Sequence, residues 1–315
     1  MWLIARRFGL GVLGVVALWV LSVFAINLTL YTPGNSVLTY LQALETRDFG
    51  LAAAKAGLSH VPTILPEPSA SLTDPQIVRT STSKSGHRIV EARYTIGGGT
   101  ETTVFTVEAG RPTLWIYNTW RFAETPTANI QFKVTGDNRV EVNGFRRDTT
   151  TPGVAPTNSV FVPGVYEASL TTPWVSAPEV SAVVSEVDRD YPLRLRVEVT
   201  EELVDRVTTS VETYLEDCAA QEVLQPVGCP FGMGVSDRVV GVPDWTVLDY
   251  PLVTLTLGSD KSSWDVTAAD GLVEARVMVR SLFDGSLSEV TESVSFSLEG
   301  RVEGTLVDEP VLSFY

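Results

Sequence analysis

The sequence predicts an α+β protein: an N-terminal transmembrane helix, then two helix-plus-antiparallel-sheet domains separated by a small β-sandwich. Three observations carry this reading. An uncharged apolar run occupies residues 8–26, and apolar positions at helical spacing recur after residue 33 and again after residue 200. Each helical pattern is followed by β-branched, alternating stretches broken by Gly, Pro, Asn and Asp. The expected domains are a membrane anchor over 1–26, an α+β domain over 27–125, a β-sandwich over 126–182 and a second α+β domain over 183–315.

The anchor is read from MWLIARR followed by FGLGVLGVVALWVLSVFAI, in which Ser22 is the polar residue of the run. As a helix, these 19 residues would be about 28 Å long, close to the thickness of a bilayer's hydrocarbon core. Arg6 and Arg7 on the N-terminal flank favour an orientation with the N-terminus in the cytoplasm and the rest of the chain outside. The competing reading is a cleaved signal peptide ending at Val23-Phe24-Ala25. The run is longer than the roughly 7–15 residues of a signal peptide's apolar region, which favours a retained, single-pass anchor in the plasma membrane.

In the first α+β domain, PGNSVLTYLQALE places Val37, Tyr40, Leu41 and Leu44 on one helical face, with Asn35 as the expected cap, and Asp48 is positioned to cap a second short helix. After the Pro-rich HVPTILPEPSAS come the strand patterns RIVEARYTI, TETTVFTVEA and PTLWIYNTWRF, with Gly97-Gly98-Gly99 at a hairpin. Trp115, Trp120 and Phe122 read as core or rim aromatics rather than as a carbohydrate-stacking platform. The second segment alternates through Ile130, Phe132 and Val134, and Asn143-Gly144 and Pro163-Gly164 supply its turns. Its Arg146-Arg147 pair reads as a solvated loop. In the third segment Thr200 caps a helix carrying Leu203, Val207, Val211 and Leu215, and consecutive antiparallel strands follow, with Asp284-Gly285 at one hairpin.

Both cysteines of the chain, Cys218 and Cys229, fall within CAAQEVLQPVGCPFG. A structural disulfide, a metal site and a redox couple compete for them. A zinc site needs about four ligands, and the two histidines, His60 and His87, lie far upstream. The spacing is not that of a Cys-x-x-Cys redox pair, and a location outside the cytoplasm preserves disulfides. The expectation is therefore a Cys218–Cys229 disulfide, with no metal and no cofactor.

The net charge is −15, and residues 183–315 hold nearly all of it, with 25 acidic against 9 basic residues. Like-charge repulsion excludes a nucleic-acid or anionic-lipid surface there. No EF-hand spacing surrounds Asp188, Asp190, Asp265 or Asp270. Nucleophile-elbow, phosphate-loop and zinc-protease motifs are absent from the sequence, so no catalytic residue is expected.

The run PGNSVLTYLQALETRDFGLAAAKAGL with strands ending in TWRF resembles an NTF2-like domain of bacterial envelope proteins, a cone whose helix packs into a curved sheet. VEVNGF with VFVPGVYEASL resembles the small β domains beside such modules, and CAAQEVLQPVGCPFG resembles a segment of single-pass actinobacterial proteins. The order of modules is similar to the TcaA/YvbJ type of envelope protein, without the cysteine-rich zinc ribbon common there. The resemblance implies two NTF2-like or cystatin-like domains in a non-catalytic interaction or ligand-sensing scaffold, partnered by the membrane and by an envelope protein or cell-wall component. It carries no catalytic residue. The alternative is a small-molecule hydrolase or isomerase using a carboxylate in an NTF2-like cavity.

Overall fold

The computed structural model describes residues 2–148, 155–304 and 310–315, with the backbone alone for residues 2–14. It is a mixed α+β architecture in which strand predominates over helix. Helix α1 (Trp2–Thr29) leads into α2 (Pro33–Glu45) and α3 (Phe49–Ala56). Thr32, rather than Asn35, caps α2: its hydroxyl accepts the Asn35 N–H at 3.1 Å, and Pro33 occupies the first helical position, where a missing N–H costs nothing. Asp48 caps α3 as expected, accepting the Leu51 N–H at 2.9 Å.

The first sheet runs in the order β1 (Thr73–Thr82), β2 (Arg88–Ile96), β3 (Gly99–Ala109) and β4 (Trp120–Phe122), all antiparallel. Strand β1 carries no strand signal in the sequence, because it is a largely exposed edge strand with Pro75 and no apolar alternation. Conversely, PTLWIYNTWRF is not one strand. Only Trp120–Phe122 pairs in the sheet, and residues 110–119 form a protruding hairpin loop. The face of the sheet toward α2 is filled by Tyr40, Leu41, Val90, Tyr94, Phe105 and Val107, all at most 2% exposed.

The middle unit has two sheets. One is ordered β12 (Glu198–Val199), β10 (Val175–Val184), β9 (Gly164–Thr171), β6 (Arg139–Val142), β7 (Phe145–Asp148), and the other β11 (Asp190–Arg196), β5 (Thr127–Thr135), β8 (Thr157–Phe161). The expected boundary between Ala182 and Val183 falls inside β10. Strand β11 pairs in parallel with β5, so by strand pairing this unit extends to Val199. A parallel partner distant in sequence leaves no turn signal between the two strands, so the sequence does not mark this pairing.

Helix α4 (Glu201–Ala219) starts at the Thr200 cap and buries Leu203, Val207, Val211 and Leu215 as expected. The final sheet is built on two 17-residue strands, β16 (Trp264–Arg280) and β17 (Leu287–Glu303). The short β13 (Arg238–Val239), β14 (Asp244–Asp249) and β15 (Leu252–Leu257) share the other edge of β16, and β18 (Val311–Phe314) pairs with β17. The three strand patterns SWDVTAA, GLVEARVMVRSLFDG and SEVTESVSFSLEG are therefore one bent hairpin. Its register shifts between Ala268 and Gly271, where a Cβ on the glycine would lie 2.3 Å from Phe296 Cζ.

Candidate functional site

The feature that the fold leaves unsatisfied is α1. Val15, Val16, Leu18, Trp19, Val20, Leu21, Phe24 and Leu28 are each 51–67% exposed. At about 100° per residue these positions point around the whole circumference of the helix, so no single neighbouring face could cover them. Among the described residues, which include side chains of α1 from Val15 onward, no single helix is long and apolar enough to cross a membrane. Val15–Thr29 and Pro33–Glu45 pass only together, as a pair bent by 54°. Helix α2 buries Val37, Tyr40 and Leu41 in the first domain, so the exposed apolar surface of that pair belongs to α1.

The exit of α1 is fastened to the first domain. The Asn27 carboxamide donates to the Ile116 carbonyl at 2.8 Å and accepts the Asn118 N–H at 2.7 Å. The Tyr31 and Tyr117 rings stack at 4.8 Å, and the Trp120 indole N–H donates to the Tyr31 carbonyl at 2.9 Å. All the partners come from the loop between β3 and β4 and its return into β4. The loop is a narrow hairpin: Thr113 and Tyr117 exchange backbone hydrogen bonds at 2.9 and 3.0 Å, and the Gly110 N–H donates to the Thr119 carbonyl at 2.8 Å. At its tip Leu114 and Trp115 hold φ of 51° and 65°. Consecutive left-handed positions in bulky residues cost about 1–3 kcal/mol each and persist only where the surroundings impose them. Trp115 is 96% exposed, which corrects its reading as a core or rim aromatic, while Trp120 and Phe122 do pack against the core. The signal in the sequence was the run of large residues ending in Asn118, too polar at its close to continue a strand.

The cysteines are bonded, with their Cα atoms 5.8 Å apart. Just past the loop they close, the Phe231 ring packs on Trp245 at 4.9 Å and on Phe296 at 5.5 Å. The Trp245 indole N–H donates to the Val223 carbonyl at 2.9 Å, and Tyr214 donates to the Gly228 carbonyl. The bond thus ties the end of α4 to the segment that packs on the last sheet through Phe231.

The other singled-out residues do not converge. His60 lies against the Ser59 hydroxyl at 2.9 Å, and His87 is 3.7 Å from Glu108 on the first sheet. Arg147 is not in a solvated loop but on β7, donating to the Thr63 carbonyl at 2.8 Å and lining a shallow cleft of about 240 Å³ with Ile64, Val142 and Phe145. Asp260, near the Asp265 considered above, is held below the usual carboxylate range by the Ser262 N–H, with help from Ser263 and Arg301, and its carboxylate closes the turn at Ser262-Ser263. Among the described residues no cluster of three or more His, Cys, Asp or Glu side chains has the geometry to hold a metal ion. No protein-family model, curated protein or solved structure matches the chain.

Proposed function

We propose that the chain is a single-pass, extracytoplasmic scaffold of the bacterial cell envelope, anchored by α1 with its N-terminus in the cytoplasm, that binds an envelope protein or cell-wall component and does no catalysis. The observation that carries this reading is the ring of exposed apolar side chains on α1. A helix of 28 residues is about 42 Å long, enough to cross about 30 Å of hydrocarbon and leave its polar end outside. Arg6 and Arg7 give the direction, and the Cys218–Cys229 bond suits an oxidising compartment.

The scaffold part of the proposal draws on how the helix-facing sides of both α+β units are filled. Tyr40, Phe105 and Phe122 meet edge to face beneath the first sheet, with ring centroids 5.2–6.2 Å apart. Leu203, Val207, Val211 and Leu215 occupy the corresponding place in the last unit. We read both as NTF2-like or cystatin-like folds used for display, in the arrangement of the TcaA/YvbJ type. Fractionation of expressing cells, followed by protease treatment of intact cells, tests the proposal. The chain should remain in membranes after high-salt washing and be digested from outside. Release into the medium with a new N-terminus near Ile26, or full protection from the protease, would overturn it.

A further inference from the structure

We propose that the β3–β4 hairpin is a second membrane contact: Leu114 and Trp115 insert into the interfacial layer of the leaflet from which α1 emerges. The inference rests on α1 being the anchor, and the lipid surface is the one occupant its position selects. Asn27, which the hairpin grips from both sides, immediately follows the last residue of the apolar run, Ile26. The level of Asn27 is therefore where hydrocarbon gives way to headgroups. Trp115 precedes the gripped Ile116 by one Cα step of about 3.8 Å, so the tip cannot be far from that level.

The partly covered face of α1 also extends toward the bilayer. Val23, Ile26 and Asn27 are half-buried while Val20, Leu21, Phe24 and Leu28 are exposed. Positions 23, 26 and 27 share one helical face, and Val23 lies about one turn deeper than Asn27. The covered face is the one on which Asn27 meets the loop. At the tip, Leu114 is 72% exposed and Trp115 96%, both on a left-handed backbone that the paired stem below them enforces. An isolated aqueous loop gains nothing from presenting two large apolar residues in a costly conformation. At a lipid interface, tryptophan is the favoured residue, because its ring is apolar and its N–H finds water or a headgroup. Arg111, exposed at the base of the stem, is placed to meet phosphate.

The test uses the full chain, reconstituted in phosphatidylethanolamine/phosphatidylglycerol vesicles. Because both native cysteines are bonded, a single introduced thiol takes an environment-sensitive fluorophore selectively. Three variants are labelled: Trp115→Cys at the tip, Trp19→Cys within α1, and Thr209→Cys on the exposed face of α4. The expected result is blue-shifted emission at position 115, quenched several-fold more by lipids spin-labelled near the headgroup than the probe at 209, and quenching at 19 by lipids labelled deep in the chain. Deep quenching at 19 with a water-like, unquenched probe at 115 would overturn the second contact and leave the anchor standing. A blue-shifted probe at 115 that no lipid quenches would assign the tip to a protein surface and overturn the lipid proposal. Loss of quenching at 19 would overturn the anchor and the second contact together.

Discussion

Tyr40 shows how much one side chain does at the junction of two units. Its hydroxyl donates to the Val162 carbonyl at 2.7 Å and lies 3.2 Å from the Pro126 carbonyl, both in the middle unit, while its ring packs in the first domain. Burial, reinforced by Tyr166, pushes its ionisation well above the usual tyrosine range, so it stays a neutral donor at any physiological pH. Tyr40→Phe should cost about 1–3 kcal/mol by leaving buried carbonyl oxygen unsatisfied, measurable as a lowered denaturant midpoint at unchanged slope. Cys218→Ser should lower the melting temperature by several degrees, as expected from a loss of about 2–4 kcal/mol, and the folded, non-reduced wild type should take up no thiol-alkylating reagent. Glu167 carries the opposite kind of effect. Burial, then Glu179 and Glu67, raise its pKa above the ordinary 4.5. A raised acid contributes its full stability below the unfolded pKa and loses it as pH rises through the folded value. Glu167→Gln should therefore be more stable than wild type at pH 7 and show no advantage below about pH 4, as followed by thermal melts across that range.

Among the elements, those with one buried face and a local cap were legible in the sequence. Helix α4 is the clearest case, since Thr200 accepts the Leu203 N–H at 3.3 Å and the apolar residues at every fourth position from Leu203 to Leu215 go inward. The disulfide was legible for a similar reason, two thiols close in sequence with no metal-ligand companions. Strand β1 was not, because as an edge strand it turns little more than Ile77 toward the core and so shows no apolar alternation. The 110–119 hairpin was misread because its composition is that of a strand, and its backbone is set instead by the grip on Asn27, a residue outside the local window. The functional proposal therefore depends most on the part that pattern reading served least. The long β16–β17 hairpin gives an element-scale prediction. Gly271→Ala should destabilise the protein by about 1–3 kcal/mol through overpacking against Phe296, and Phe296→Leu in the same chain should recover part of that loss.

Over the whole molecule, the middle unit is joined to both neighbours. It shares one continuous core with the last unit, and Arg206 of α4 stacks over Trp174 at 5.5 Å while Thr200 donates its N–H to the Trp174 carbonyl at 3.0 Å. Toward the first domain, Phe49 stacks on Phe161 at 5.9 Å, Glu67 donates to the Val165 carbonyl at 2.8 Å, and Thr103 donates to the Ser185 carbonyl at 2.5 Å. Interfaces of this kind suppress the relative motion expected of loosely linked domains. Calorimetry should therefore find the middle and last units melting in a single transition, and two resolved peaks for them would contradict the shared core.

The fastening of Asn27 and Tyr31 has a mechanical consequence. With Asn27 clamped by the hairpin and Trp120 bonded just beyond it, there is no slack hinge between the foot of the protein and its body. If α1 is the anchor proposed above, a change in its tilt, such as a thinner or thicker bilayer would impose, turns the first domain with it. Displacement grows with distance from the pivot, so a few degrees at the foot become ångströms of travel at the far end. With α1 as the proposed anchor, the protein would work as a lever with one arm in the lipid.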